Sequence, residues 1–241
     1  MLRPKNNKTK PRIKHRPFLK WAGGKFRLTD DLNRVFPKRK QCLIEPFVGA
    51  GAVFLNSHFE RYILADINPD LINLFNIVKE NVDAYIEACK PIFFAENANT
   101  AEYYYAQRDA FNQSTDPFDR SVLFLYLNRF GFNGLCRYNS KNEFNVPFGA
   151  YKTHYFPEDE LRYFAHKAQS AVFLCADFQQ TFELADKHSV IYCDPPYAPL
   201  PQDTNFTGYA GNAFGLEHQK NLAECAKKAQ KEKQISVVIS N

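Results

Sequence analysis

The residues in this sequence that are best suited to chemistry are Asp194, Pro195, Pro196 and Tyr197, which follow the apolar run 189–192. Proline has no backbone N–H and a fixed φ, and it disfavours the helical conformation of the residue before it. The two prolines therefore hold the backbone extended and leave carbonyl oxygens without local partners. A carboxylate, free carbonyls and an aromatic ring in this order are suited to binding a group from outside the chain.

A second candidate is the glycine loop 47–51, Phe-Val-Gly-Ala-Gly, which follows a strand-like run. Backbone N–H groups of such a turn lie where open α/β sheets bind ligands. The dinucleotide fingerprint would need a third small residue where Phe54 stands, which argues against NAD. Gly49 and Gly51 therefore predict a ligand loop of a different kind.

Two carboxylates end neighbouring strand-like runs. Asp66 lies 15 residues past Gly51, where it can accept hydrogen bonds from a ribose diol; Asn68 already fits the helix-cap position that Asp66 could otherwise fill. Asp177 can contact an adenine amino group, with Phe178 covering the ring, or it can simply cap the next helix. We expect Asp66 and Asp194 on one edge of the sheet, which would present a nucleoside-shaped slot.

The elements that must position these residues predict an α/β fold, a doubly wound, Rossmann-like sheet with an inserted, mainly helical domain. Asn68 and Pro69 predict the start of a helix whose apolar stripe runs from Leu71 to Val82. The predicted strands are 42–47, 62–68, 171–177, 189–194 and 235–241.

Residues 77–165 lack this alternation and are predicted to form the inserted domain, whereas 18–76 and 166–241 form the sheet domain. We expect residues 1–17 to be a disordered tail. A bare apolar edge strand invites aggregation, so we also expect that the C-terminal strands of the sheet are missing from this chain.

Composition excludes several classes of protein. The chain has 241 residues, 45% of them hydrophobic, without an apolar stretch near the length of a membrane span or a signal-peptide core, so we expect a cytoplasmic protein. Its six cysteines show no CxxC pair and no metal-like spacing to histidine, so we expect free thiols and no metal. The tail 1–17 carries only positive charges, which suit a polyanion such as nucleic acid or simply keep the chain soluble.

Four motifs in order resemble the DNA adenine methylase family of S-adenosylmethionine-dependent amino-methyltransferases. They are Trp-Ala-Gly-Gly-Lys at 21–25, Phe-Val-Gly-Ala-Gly at 47–51, Ala-Asp-Ile-Asn at 65–68 and Asp-Pro-Pro-Tyr at 194–197. The resemblance runs from 18 to 241 and includes 128–139 and 142–149 in the inserted region.

The resemblance implies that S-adenosylmethionine is the cofactor and that adenine N6 in double-stranded DNA is the target. Asp194 would accept one N–H of the amine and the carbonyl of Pro195 the other, with Pro196 stiffening the turn and Tyr197 stacking on the base. The candidate cofactor-binding residues are Trp21, Lys25, Phe47, Gly49, Gly51, Asp66, Asp177, Phe178 and Asp194.

An amine inside a duplex is reached only when its base is flipped out. Asn133 and Gly134 predict a hairpin-like turn, which without the resemblance would be a plain surface loop. The resemblance implies that Phe132 inserts into the base stack. Some relatives carry tyrosine at this position; phenylalanine can still insert between the bases, but the contact of the tyrosine hydroxyl is lost. Arg137 and Lys20 would each bind a guanine, so the implied target is GATC. The candidate DNA-binding residues are Lys20, Phe132, Asn133, Leu135, Arg137 and Pro147, with Leu135 and Pro147 against a thymine methyl.

Two alternatives stay open at this point. One is an amino-methyltransferase that acts on RNA or on a protein amide; the aspartate at 194, rather than asparagine, and the inserted region weigh against it. The other is a catalytically silent DNA-binding module. For the DNA adenine methyltransferase that the resemblance implies, we expect a monomer.

Overall fold

The computed structural model describes residues 13–196 and 214–240, and its central feature is a five-stranded parallel sheet. The strands are β1 (Cys42–Glu45), β2 (Arg61–Asp66), β3 (Ala171–Cys175), β4 (Ser189–Cys193) and β5 (Ser236–Ile239). Their order is β3-β2-β1-β4-β5, which confirms the predicted doubly wound sheet. The chain adds β2 and β3 on one side of β1 and then β4 and β5 on the other side, so the strand order reverses between β1 and β4. Sheets of this kind bind ligands at that place.

Strands β1 and β4 are buried on both faces because helices cover the sheet on both sides. Ile44 of β1 pairs in register with Ile63 of β2 and Ile191 of β4. Side chains alternate along a strand, so Ile44 and Ile191 face one core, whereas Leu43 and Val190 face the other. Burying each such side chain contributes about 1.5–3 kcal/mol.

Helices flank the strands of the sheet along the chain. A 3-10 turn (Phe26–Leu28) leads into α1 (Thr29–Val35), which ends before Pro37, and α2 (Ala52–Asn56) follows the glycine loop. Beyond β3 and β4 come α8 (Phe178–Glu183) and α9 (Leu216–Lys233).

The helix after β2, α3 (Pro69–Glu80), begins as predicted, with the side chain of Asn68 accepting from the backbone N–H groups of Asp70 and Leu71. Its predicted end was wrong. Asn81 leaves the helical conformation at φ −152° and its side chain caps the next helix, α4 (Val82–Phe93), so Val82 starts a new helix. The apolar residues keep their helical spacing across this break, so the sequence pattern does not reveal that one helix ends and another begins.

The region 77–165 is mainly helical, as predicted, and its core is continuous with that of the sheet. It contains α4, α5 (Ala101–Gln113), α6 (Pro117–Phe130) and most of α7 (Glu158–Ala168). Helix α6 is buried on almost every side and packs against α3, so aromatic rings of both regions belong to one cluster. The predicted boundary at 165 lies inside α7. The division into two domains therefore stays a prediction.

Residues 13–17 of the predicted tail lie against the body of the protein. The backbone N–H and carbonyl of His15 both bond to the side chain of Asn56, and the His15 ring stacks on Tyr163 with centroids 3.4 Å apart. Lys14 pairs with Asp30 at 2.7 Å. The described part of the tail is thus ordered by contacts, contrary to the expectation of disorder, and residues 1–12 lie outside the described residues.

The described residues include no helix that is both long and apolar enough to cross a membrane. The cysteines are unpaired, with Cys42, Cys89, Cys136 and Cys193 buried and Cys175 exposed.

Candidate functional site

The predicted carboxylates and glycines meet at one edge of the sheet. All strands run parallel, so the ends of β1, β2 and β4 point the same way. Asp66 ends β2, the glycine loop 47–51 follows β1, and Asp194 follows β4. The expectation that residues 66 and 194 share an edge is confirmed, and the glycine loop lies between them at the reversal of strand order.

Both glycines of the glycine loop have a positive φ, which disfavours other residues, and Gly49 also lies close to Trp21. Gly49 has φ +48°, and a Cβ there would lie 2.9 Å from Nε1 of Trp21. Gly51 has φ +74° and stands at the N-cap of α2. The Gly49 N–H donates to Oδ2 of Asp66 at 3.2 Å, and burial raises the pKa of Asp66. Trp21, Gly49 and Asp66 thus form one connected group.

Asp194 is held in place by two partners that lie far away in sequence. Its Oδ1 pairs with Nζ of Lys25 at 2.6 Å and accepts a hydrogen bond from Oγ of Ser240 at 3.0 Å. That Oγ also contacts the Tyr192 hydroxyl at 2.9 Å. The sequence placed Lys25 only at the cofactor, so its pairing with Asp194 and the role of Ser240 were missed.

The backbone after Asp194 enters neither a helix nor a strand through Pro195 and Pro196, as two prolines require. Pro195 is partly buried and Pro196 is exposed. Tyr197, the fourth residue of this motif, lies outside the described residues.

Asp177 takes the helix-cap alternative. Its side chain accepts from the Gln179 N–H at 2.8 Å and completes a capping box with Gln180 at the start of α8. Phe178 is only 3% exposed, and its ring contacts Phe47 at a centroid distance of 5.6 Å. Phe178 starts a short helix that packs onto the sheet, and its role in covering a ligand ring stays a prediction.

The sequence also missed Glu45, a carboxyl group buried at the end of β1. Leu43 pairs in register with Val190, so continuing that register places Glu45 beside Tyr192, on the face that Asp194 shares. Glu45 is 2% exposed, and its Oε1 has no hydrogen-bond partner in the described part of the chain. Burial, and then the charge of Asp194, raise the pKa of Glu45 well above its usual value. A single acid in the apolar run 42–45 was the available signal.

The predicted turn at Asn133 and Gly134 is present. Both residues have positive φ, 53° and 60°, and the Leu135 N–H donates to the Phe132 carbonyl at 3.1 Å. It is not the tip of a two-stranded hairpin, however. Tyr138 bridges Phe144, so the chain reverses over 139–143 instead.

The six predicted DNA-binding residues lie on this turn and its neighbours. Phe132 is 48% exposed, and its N–H donates to the carbonyl of exposed Pro147 at 2.8 Å. Asn133 is exposed, whereas Leu135 is half-buried against the core. Arg137 is exposed, and its Nε donates to Oδ1 of Asn145 at 2.7 Å.

Lys20 connects the turn at Asn133 and Gly134 to the segment 21–25, which follows it in the chain. A Cβ on Gly134 would lie 2.2 Å from Cβ of Lys20, so the two backbones are in close contact. Asn128 clamps the main chain of Lys20, accepting from its N–H and donating to its carbonyl, both at 2.8 Å. The Lys20 ammonium donates to the Arg129 carbonyl at 2.8 Å, and burial lowers the pKa of Lys20 to about 8.

Comparison with known proteins agrees with this geometry. A family model for D12 class N6 adenine-specific DNA methyltransferases matches residues 21–241. A DNA adenine methylase of Haemophilus influenzae is 81% identical over 241 residues, which cover 100% of this chain and 84% of that protein. DNA adenine methylases of Vibrio cholerae and Escherichia coli K12 are 60% and 59% identical over 228 residues, which cover 95% of this chain and 82% and 81% of those proteins.

Proposed function

Because the chain belongs to the D12 class of N6 adenine-specific DNA methyltransferases, and so is a DNA-methylating enzyme, we propose that S-adenosylmethionine is its methyl donor. We also propose that its target is the adenine of GATC, flipped out of the duplex. The observation that carries this proposal is the segment 20–25. Lys20 touches the predicted base-reading turn, Trp21 packs on the glycine loop, and Lys25 pairs with Asp194.

The chain contains a site that fits a sulfonium nucleoside. The glycine loop offers backbone N–H groups at the strand reversal, and Asp66 presents a carboxylate beside it. A Cβ on Gly23 would meet no atom of the described residues within 4 Å, so those residues leave space beside the segment 21–25. S-adenosylmethionine supplies the methyl group already activated, so the residues of the chain have to bind and orient.

Asp194 and Pro195 shape the amine. The nitrogen lone pair of an adenine amine is delocalised into the ring, so hydrogen-bond acceptors must draw its hydrogens out of plane. Both described contacts of Asp194 use Oδ1, which leaves Oδ2 to accept one N–H, and the Pro195 carbonyl accepts the other. Lys25 and Ser240 hold the carboxylate in one orientation, which is the positioning that catalysis needs.

The turn and its neighbours read the duplex. Phe132 is the exposed aromatic ring that fills the space left by the flipped base. Arg137 and Lys20 bind guanine edges through O6 and N7, while Leu135 and Pro147 contact a thymine methyl. Asn133 lies at the exposed tip of the turn, where it contacts the interrupted stack.

Transfer of a labelled methyl group to a GATC duplex, alongside duplexes with one changed base pair, tests the proposal. Asp194→Asn should lose transfer while its unfolding midpoint stays near that of the wild type. Asp186→Asn is the matched control, because Asp186 precedes the same strand and pairs with Arg61 on the surface. Near-normal transfer by Asp194→Asn would defeat the catalytic role, and equal transfer to all duplexes would defeat the GATC assignment.

A further inference from the structure

Arg137 is exposed between two buried residues, and both of these are attached to the first turn of α3. Cys136 is 9% exposed and its Sγ accepts a hydrogen bond from Nδ2 of Asn68 at 3.3 Å. Tyr138 is 8% exposed and its hydroxyl donates to Oδ2 of Asp70 at 2.6 Å. The backbone of Arg137, from which its side chain extends, therefore has little freedom to move.

The acceptor of the tyrosine hydroxyl is itself fixed. Asp70 is 9% exposed and receives two hydrogen bonds from Arg120, Nε to Oδ1 and Nη2 to Oδ2, both at 2.9 Å. Nη1 of the same guanidinium donates to the carbonyls of Phe111 and Ser114. A paired geometry of this kind is rigid, and truncating one member of a buried network leaves the others unsatisfied.

The same turn of α3 also borders the cofactor side. The Asn68 N–H donates to Oδ1 of Asp66 at 3.0 Å, while the Asn68 side-chain oxygen caps α3. One short stretch of backbone thus holds the predicted ribose-binding carboxylate on one side and the predicted base-reading arginine on the other.

We propose that Tyr138 and Asn68 are positioning residues for base selection, which act by fixing Arg137 relative to the start of α3. This inference rests on the proposed base-reading role of Arg137. A planar guanidinium discriminates a guanine only when both of its hydrogen bonds are aligned, and a good bidentate contact is worth roughly 5- to 150-fold in discrimination. Removing the contacts that hold Arg137 in position should therefore lower this discrimination in part.

The test compares kcat/KM for a GATC duplex and for duplexes with one changed base pair. Arg137→Ala identifies the pair that Arg137 reads. At that pair, Tyr138→Phe, which removes one hydroxyl at constant ring volume, should lower discrimination several-fold but less than Arg137→Ala does. The ratio of two rates on one preparation does not depend on the folded fraction, so a purely structural role would leave it unchanged.

Tyr85→Phe is the matched control, because the Tyr85 hydroxyl is equally buried and donates to the Ser121 carbonyl at 2.8 Å within the helical layer. It should leave discrimination at the wild-type value. On the other side of Arg137, Cys136→Ala should relax selection, and Cys136→Ser, which keeps an acceptor for Asn68, should restore it. These two variants also serve if Tyr138→Phe fails to fold.

The outcomes separate the two hypotheses. If Arg137→Ala relaxes selection at one pair while Tyr138→Phe and Cys136→Ala do not, the positioning inference is wrong and the proposed function stands. If Arg137→Ala itself leaves selection unchanged at every pair, the base-reading role fails, and the inference falls with it.

Discussion

The contact between Gly134 and Lys20 predicts a stability difference between two glycines that share a backbone conformation. Gly134 has φ +60° and Gly23 has φ +74°, both in the left-handed region. A Cβ at Gly134 would lie 2.2 Å from Cβ of Lys20, whereas a Cβ at Gly23 would meet nothing within 4 Å among the residues that the structure describes. Alanine at either position therefore carries the backbone cost, but only Gly134→Ala carries a clash as well.

The expected magnitudes follow from these two terms. An alanine in the left-handed region costs roughly 1–2 kcal/mol, so Gly23→Ala should lower the free energy of unfolding by about that amount. Ordinary van der Waals contact begins at 3.4 Å, and Lys20 cannot retreat because Asn128 holds its N–H and its carbonyl. The turn must move instead, at an added cost of roughly 1–3 kcal/mol for overpacking. Gly134→Ala should thus cost about 2–5 kcal/mol in all.

Urea unfolding of both variants without ligand checks these values, since domains are typically stable by about 5–15 kcal/mol and both variants should still fold. Equal losses for the two glycines would refute the close approach of the turn to Lys20. The displaced turn carries Phe132 and Asn133, so Gly134→Ala should also impair methylation of a duplex far more than it impairs calorimetric binding of the donor.

Two further predictions concern titration. Burial lowers the pKa of Lys20 to about 8, so duplex affinity should fall about tenfold between pH 7 and pH 9, and Lys20→Arg should flatten this dependence, as measured by fluorescence anisotropy at constant ionic strength. Burial raises the folded-state pKa of Glu45 above 4.5, so its stabilising contribution is complete below that pH and is lost as pH rises through the folded pKa. Glu45→Gln should remove this loss. The unfolding free energies of variant and wild type should then diverge by up to about 1.4 kcal/mol per pH unit between the usual pKa and the folded-state pKa of Glu45. Parallel curves of unfolding free energy against pH would contradict a buried, perturbed carboxyl.

Local patterns predicted the elements of the fold well. The strands begin and end within a few residues of the predicted ones. Capping chemistry also placed Asn68 correctly, because an N-cap depends on residues only a few positions apart. Such features are local, so a single sequence contains them.

The contacts that assemble the site could not be predicted, because they join residues that are distant in sequence. The Lys25–Asp194 ion pair and the Ser240–Asp194 hydrogen bond depend on the order of the strands. The burial of Phe178 depends on how closely a short helix packs against the sheet. Motif resemblance identified Lys25 and Asp194 separately, but only the packed sheet brings the two side chains within 2.6 Å.

The segment 20–25 limits the distance between the proposed base-reading turn at Asn133 and Gly134 and the carboxylate of Asp194. Asn128 pins its first residue from both sides, and the ion pair with Asp194 holds its last. Five peptide units span at most about 18 Å, so the two ends cannot drift further apart than this. Between them lie Gly23 and Gly24, and the positive φ of Gly23 is a conformation that other residues adopt only at a cost. A displacement of the turn must therefore either strain Asn128 or be absorbed at the glycines, directly beside the proposed donor site. The proposed selection of the base and the proposed orientation of the amine are thus linked through the six residues 20–25.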